Sequence, residues 1–303
     1  MRFGIIGAGM IAEFHAKAIA AMPGAELSAV YARRTEAAER VTHEYGGDAY
    51  SDLDAFLKHD GLDIVTICTP SGAHLERVLA AAGARKHVIC EKPLEVTTER
   101  IDEMTAACQD AGVCLAGIFP RRFNPSTEHL RKAVASGRFG RIALADAVVK
   151  WWRPQSYYDS GAWRGTWELD GGGALMNQAI HSVDLLTWLM GPVASINANT
   201  ATLAHKRIAV EDVATASLRL ENGALGVIEA STAAYPGYLK RIELHGSDGS
   251  AVIEEEDIKV WDFAKKKPGD AAILKRMAGK TESGGGAADP SAIGHHGHTA
   301  QFK

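Results

Sequence analysis

Three short segments of this chain carry residue types that do chemistry rather than fill a core. The first, Gly7-Ala8-Gly9-Met10-Ile11-Ala12, fits the pattern G-x-G-x-x-G/A. Gly7 permits a tight turn, Gly9 lets backbone approach a pyrophosphate, and Ala12 lets a helix pack closely on a strand. The helix start at Met10 and Ile11 then offers N–H groups and the positive end of a dipole to phosphates. Glycines in a turn are the bland alternative, but the place between a strand-like and a helical run favours a dinucleotide. The second segment, Cys90-Glu91-Lys92-Pro93, lies at the carboxyl end of a strand-like run, where open α/β sheets bind ligands. The third runs from Gly171-Gly172-Gly173 to Asp184; on a helix, Asn177 and His181 share a face, with Asp184 three residues further on. Taking hydride from a carbinol carbon leaves a proton on oxygen. His181 suits its removal, because an imidazole titrates near neutral pH. A protonated Lys92 would stabilise the developing alkoxide. Taken singly, a lysine after a strand is usually a solvated loop residue, and a helical histidine a core or surface group.

The residues after the second strand test the choice between the two nicotinamide dinucleotides. An acidic side chain there hydrogen-bonds the adenine ribose of NAD. This chain has Tyr31-Ala32-Arg33-Arg34 instead. Arg33 or Arg34 can pair with a 2′-phosphate, which favours NADP over NAD; two solvated loop arginines are the alternative. On the substrate side, Trp151-Trp152-Arg153, Tyr157-Tyr158 and Trp163-Arg164-Gly165-Thr166-Trp167 concentrate aromatics and arginines just before the glycine run. Such side chains suit the apolar faces and hydroxyl rims of sugars, or a carboxylate or phosphate, and tryptophans packed between domains are the competing reading.

These segments need positioning elements. Over residues 1–120 the chain alternates strand-like runs (Phe3–Ile6, Ala25–Tyr31, Asp63–Cys68, His87–Cys90, Val113–Ile118) with helical ones (Ile11–Ala21, Thr35–Tyr45, Ser51–Lys58, Ala73–Ala82, Thr97–Ala111). Short apolar runs without alternation are the mark of parallel strands covered on both faces, hence a doubly wound α/β sheet. After Pro120 helices are predicted at Ser126–Ser136 and Leu175–Met190. Strands are predicted at Ile142–Trp152, Val193–Thr202, Val213–Leu220, Leu225–Thr232, Tyr238–Gly246 and Ser250–Glu254. Asn222-Gly223 marks a hairpin. The second domain, 121–303, therefore reads as α+β with a mostly antiparallel sheet. From Ala264 onward, a composition rich in Lys, Gly, Pro and Ala predicts a long, poorly ordered loop.

Composition excludes several function classes. A formal net charge of -4 gives no electrostatic reason to expect nucleic acid or an anionic membrane as partner. The apolar runs are too short for a membrane span, and Arg2 leads straight into a strand rather than a signal sequence, so a cytoplasmic protein is expected. The four cysteines lack metal-ligand spacing, and His205, His295, His296 and His298 read as flexible-loop histidines, so no metal is expected.

In this order the Rossmann motif, the Thr69-Pro70 turn followed by His74, Glu91-Lys92-Pro93, Arg122-Phe123-Asn124-Pro125 and the glycine-rich segment reaching His181 resemble the Gfo/Idh/MocA (glucose–fructose oxidoreductase/inositol dehydrogenase) family over nearly the whole chain. The resemblance implies an NAD(P)-dependent oxidation or reduction at a secondary carbon of a sugar, cyclitol or related polyol. It implies a Rossmann domain over 1–120 and a second domain that supplies the substrate site and forms a homo-oligomer, a dimer or tetramer. Lys92 and His181 would be catalytic. Gly7, Gly9, Met10, Ile11, Ala12, Arg33, Arg34, Thr69, Pro70, His74, Glu91 and Lys92 would surround the cofactor. Lys92, Arg122, Tyr158, Trp163, Arg164, Asn177 and His181 would meet the substrate. Two rivals use the same fold: a redox-assisted elimination or glycoside cleavage, and a dinucleotide-sensing regulator without catalysis. Two departures stand out. Many members have an acid at the position of Asn177, and members usually continue into a closing helical region beyond a segment like His298-Thr299-Ala300-Gln301, so the end at Lys303 is expected to be truncated.

Overall fold

A computed structural model describes residues 1–279, 286–288 and 296–303. They divide into two compact units, one of Met1–Pro120, Trp167–Gly171 and 296–303, the other of Arg121–Thr166, 172–279 and 286–288. Among the described residues no helix is long and apolar enough to cross a membrane.

In the first unit, strands and helices alternate as β1 (Arg2–Ile6), α1 (Met10–Ala20), β2 (Glu26–Tyr31), α2 (Thr35–Tyr45), β3 (Asp48–Tyr50), α3 (Leu53–Leu57), β4 (Ile64–Ile67), α4 (His74–Gly83), β5 (His87–Cys90), α5 (Thr98–Asp110) and β6 (Leu115–Gly117). The strands form one parallel sheet in the order β3-β2-β1-β4-β5-β6. Both faces are covered: Phe3, Ile5 and Val30 meet Ala12, Ala16 and Ile19 of α1 and Val41 of α2. Ile67, Val88 and Cys90 meet Val78 of α4 and Met104 and Cys108 of α5. That double burial is why the strands read as plain apolar runs. Strand order reverses between β1 and β4, which makes their carboxyl ends the expected ligand crevice of the sheet.

The second unit continues with α6 (Pro125–Ala135), β7 (Ile142–Lys150), α7 (Gln155–Asp159), a π-helical turn at Ala174–Ala179, and α8 (Ile180–Met190). Then follow β8 (Val193–Ala201), β9 (Val213–Leu220), β10 (Leu225–Ser231), β11 (Arg241–Gly246), β12 (Gly249–Glu254), β13 (Asp257–Phe263) and α9 (Asp270–Arg276). The seven strands order as β13-β12-β11-β7-β10-β9-β8. All neighbours run antiparallel except β7 and β10. One sheet face packs Ala145, Leu218, Ile228 and Leu244 against Leu130 of α6 and Leu185, Leu186 and Leu189 of α8. The Asn222-Gly223 turn joins β9 to β10 as expected, with Gly223 at φ +87.

The final helix, α10 (His296–Phe302), belongs to the first unit. The expected long loop from Ala264 is therefore corrected at both described helices. Asp270 anchors α9 to Arg138, and Phe302 stacks on Phe3 with ring centroids 6.3 Å apart. Composition misleads here because a few anchoring side chains, not the small residues around them, hold each helix. The expected helix Leu175–Met190 is also corrected: its first turn is π-helical, with i→i+5 pitch, and only Ile180 onward is α. β3 and β13 are strands that the apolar pattern did not predict.

Candidate active site

The glycine turn between β1 and α1 has the form that a pyrophosphate needs. Gly7 has φ +108, and a side chain there would meet the Cys68 carbonyl oxygen at 2.7 Å. At Gly9 nothing lies within 4 Å of the Cβ position, so the backbone is open to an approaching group. Gly9 is also the N-cap of α1 and supplies no side-chain acceptor to the first-turn N–H groups. Ala12 is fully buried under the sheet, whereas Met10 is exposed. These features fit a dinucleotide: an open backbone cradle, with an uncapped helix start behind it. Arg40 of α2 donates to the Ala8 carbonyl at 2.6 Å and adds a cation beside the turn that sequence spacing did not suggest. Arg33 and Arg34 are exposed in the loop after β2, with Arg34 at the N-cap of α2.

The next strand ends are tied together by side chains. His74 is buried, with Nε2 2.9 Å from the Thr69 carbonyl and Nδ1 3.0 Å from that of Leu94. It thereby links the turn after β4, where Thr69 and Pro70 are half-buried, to the loop after β5. Glu95, fully buried, accepts from the Leu75 N–H at 3.2 Å and from Arg100 at 2.9 Å. Segment Trp167–Gly171 docks on this end of the same unit: Gly72 donates to the Leu169 carbonyl at 3.0 Å, and a side chain at Gly72 would collide with the Glu168 carbonyl oxygen.

Glu91 turns inward. One carboxylate oxygen lies 3.0 Å from His15 Nε2 and 3.2 Å from His298 Nε2, and the other accepts the Lys92 backbone N–H at 2.9 Å. Burial works to raise the Glu91 carboxyl, but the hydrogen bonds from both imidazoles outweigh it and hold the group well below the usual carboxylate range. Burial pulls the His15 imidazole down. The expectation that His298 is a flexible-loop histidine is thus overturned, since its ring is buried and bonded. His205 is overturned likewise: it is buried, with Nδ1 2.9 Å from Asp212 and Nε2 2.8 Å from the Arg153 carbonyl. Burial pushes the Asp212 carboxyl up, yet three backbone N–H groups and His205 bring it below its ordinary value. His295 lies outside the described residues, as does the side chain of His296. His15, Glu91 and His298 each offer one ligand atom within 4.8 Å of the others, a cluster that no linear spacing announced.

In the second unit the glycine run has a local cause. A side chain at Gly173 would collide with the Glu211 carbonyl oxygen, and the Glu211 carboxylate accepts the N–H groups of Gly173 at 3.0 Å and Leu175 at 2.9 Å. Glu211 so caps the π turn that carries Asn177 and leads into α8, where His181 is half-buried in the first turn. Asp184 does not face this turn. Its carboxylate takes a bidentate pair from Arg122, with Nε 2.8 Å from Oδ2. Around the π turn, Gln178 donates to the Tyr157 hydroxyl at 2.9 Å and to Asn177 at 3.3 Å. The Arg164 guanidinium stacks over Tyr157 at 4.2 Å and over Trp163 at 4.5 Å. Tyr158 is buried, its hydroxyl 2.8 Å from that of Thr232. Of the predicted substrate residues in this unit, Trp163, Arg164 and Asn177 therefore join one cluster through Tyr157 and Gln178. Tyr158 also touches this cluster, its ring edge-on to Tyr157 at 5.2 Å, whereas Arg122 pairs with Asp184.

Known proteins resemble the chain at every level. Residues 1–119 match the oxidoreductase family with an NAD-binding Rossmann fold, and residues 127–252 match the GFO/IDH/MocA C-terminal domain. Inositol 2-dehydrogenase of Rhizobium meliloti (strain 1021) is 32% identical over 84% of this chain and 76% of its own length. The WlbA dehydrogenase from Bordetella pertussis, solved in complex with NADH and UDP-GlcNAcA, is 37% identical with a TM-score of 0.88, covering 99% of this chain and 84% of that one. A levoglucosan dehydrogenase, solved with NADH and levoglucosan, is 25% identical with a TM-score of 0.82 over 100% of this chain and 90% of that one.

Proposed function

Because the chain belongs to the Gfo/Idh/MocA oxidoreductase family and is an NAD(P)-dependent dehydrogenase acting on CH–OH groups, we propose that it oxidises a secondary ring carbinol of a nucleotide-linked sugar acid. The observation that carries this reading is the likeness, through 99% of the chain, to a dehydrogenase bound to NADH and UDP-GlcNAcA. The cluster of Arg164, Tyr157, Trp163 and Asn177 supports it, since a guanidinium flanked by aromatic rings suits a carboxylate on a sugar.

A nicotinamide dinucleotide held at the glycine turn of Gly7 and Gly9 would supply the hydride acceptor for the carbinol carbon. His181 removes the hydroxyl proton. Lys92, as an ammonium, stabilises the alkoxide oxygen while the C–H bond breaks. Asn177 hydrogen-bonds the substrate, and as an amide it adds no charge beside His181. The glycine turn at Gly7 and Gly9 holds the pyrophosphate. Arg33 and Arg34 favour NADP over NAD, and a second copy of the chain completes a homo-oligomer.

A panel of free sugars, inositols, anhydrosugars, sugar acids and UDP-linked sugar acids tests the reading, with keto product and reduced cofactor measured together. The UDP-linked acids should give equal amounts of both, fastest of the panel. Faster turnover of an inositol or an anhydrosugar would overturn the substrate class. Tight dinucleotide binding with no turnover would overturn catalysis. Lys92→Ala and His181→Ala should each lower kcat by roughly 100- to 10,000-fold with cofactor affinity kept.

A further inference from the structure

The buried group at the root of Lys92 has no part in the chemistry proposed above, yet it touches the residue that does. Three segments meet in it: the middle of α1 with His15, the end of β5 with Glu91, and α10 with His298, which lies 207 residues after Glu91. The side chains of His15, Glu91 and His298 are 0%, 7% and 10% exposed. α10 is fastened beside it by Gln301, whose amide donates to the Gly117 carbonyl at 2.8 Å and accepts from Phe119 N–H at 2.9 Å. One of these bonds falls on the last residue of the edge strand β6 and the other just past its end. Phe302 sets its ring edge-on to His15 at 5.1 Å, and Phe14 lies edge-on to His298 at 5.6 Å.

Two imidazoles and a carboxylate are also a metal donor set, and the ring nitrogens not facing Glu91 decide between the two uses. A metal-bound histidine holds its second ring N–H against an acceptor. Here Nδ1 of His15 and of His298 are both buried with no hydrogen-bond partner among the described residues. A bare lone pair is cheaper to leave unpartnered in an apolar site than an N–H, so the fitting state has the proton on Nε2 of each neutral ring. Both Nε2–H groups then donate to one Glu91 oxygen, and the other oxygen holds the Lys92 N–H. The carboxylate is fixed from both sides, and with it the peptide that starts Lys92.

We propose that His15 and His298 are positioning residues for Lys92, acting through Glu91, so that α10 makes the carboxyl end of β5 competent for catalysis. The proposal rests on the catalytic role given to Lys92. His298→Leu keeps bulk without a donor, whereas the amide of His298→Gln reaches the place of Nε2. His298→Leu should lower kcat by roughly 10- to 100-fold, with the KM for cofactor changed by less than about twofold, because small displacements at a reacting group cost that much. His298→Gln should recover most of the loss. Side-chain nitrogen NMR of the histidine-labelled protein, assigned with His15→Gln and His298→Gln, should show both rings in the Nε2–H tautomer.

Wild-type turnover in His298→Leu, or equal losses in the leucine and glutamine variants, would overturn positioning. Imidazolium signals, or stoichiometric metal in the purified protein lost with either histidine, would overturn the clamp. The NMR state belongs to the resting protein and does not depend on what Lys92 does. Failure of the Lys92 reading is seen separately, as turnover surviving Lys92→Ala.

Discussion

Arg33 and Arg34 leave β2 where an acidic residue would bind the adenine ribose of NAD, and they do so exposed and, among the described residues, without an ion-pair partner. Such a guanidinium gains from a 2′-phosphate a charge-assisted hydrogen bond worth about 1.5–3 kcal/mol, or roughly tenfold to a hundredfold in affinity. Arg33→Asp should therefore move the ratio of kcat/KM for NADPH over NADH by at least that factor toward NADH. Arg40→Ala should weaken both cofactors alike, because that residue braces the Ala8 carbonyl of the shared pyrophosphate turn. An unchanged ratio in Arg33→Asp and in Arg34→Asp would remove the case for NADP. The solved neighbours hold NADH, so the experiment tests a property of this chain's own loop.

The elements differ in how openly the sequence announces them. Parallel strands buried on both faces need only a short apolar run, so β1, β2, β4 and β5 were legible, as was the glycine turn that follows β1. β3 was not, because Asp48-Ala49-Tyr50 is too brief and too polar to show a period. The π turn at Ala174–Ala179 depends on Glu211, which lies far along the chain, and no local periodicity encodes a distant cap. Lys92 and His181 could be proposed from the sequence because motifs surround them. His15 could not, since a histidine inside an apolar helix face looks like any core substitution. His298 was masked by the loop-like composition before it. α9 was hidden in the same way, and its anchor makes a prediction at this scale. Asp270 accepts two bonds at 2.8 Å from Arg138, one at 3.2 Å from Trp261 Nε1 and one at 2.7 Å from the Lys267 N–H. The Arg138 pair, against the effect of burial, holds its carboxyl far below the ordinary range. A depressed folded pKa contributes stability that is present above the unfolded value, about 4, and is lost as pH falls through the folded value. Asp270→Asn should cost about 1.5–3 kcal/mol near neutral pH. Thermal melts should show the gap to wild type closing as the pH drops below about 4. A gap of the same size at every pH would mean that the charge on Asp270 is not what holds α9.

For the whole molecule, the seven-stranded sheet poses the remaining question, because among the described residues of its own unit the helices α6 and α8 pack on one face of it. β9 alternates buried and exposed residues along its length, as a sheet with one dry and one open face must. On the open face Leu225 pairs with Leu144 across β10 and β7, and Val227 lies two residues further on. These three are 47%, 47% and 38% exposed. Contiguous apolar residues on a flat sheet face, with Asp146, Glu229 and Arg219 in register around them, are the makings of a surface that a second copy covers. In a two-fold arrangement each substitution enters the interface twice, so one added cation per chain puts two charges into an apolar contact. The wild-type protein should thus run as a dimer or tetramer in light scattering coupled to size exclusion. Val227→Arg should run at a smaller mass. Its cofactor affinity should stay within about twofold of wild type, because the glycine turn at Gly7 and Gly9 belongs to the other unit. A monomeric wild type, or a Val227→Arg variant of unchanged mass, would leave this face without the partner proposed for it. Loss of dinucleotide binding along with the mass would show instead that the substitution had unfolded the chain, and Leu144→Arg, on the neighbouring strand of the same face, would then serve as the deciding variant.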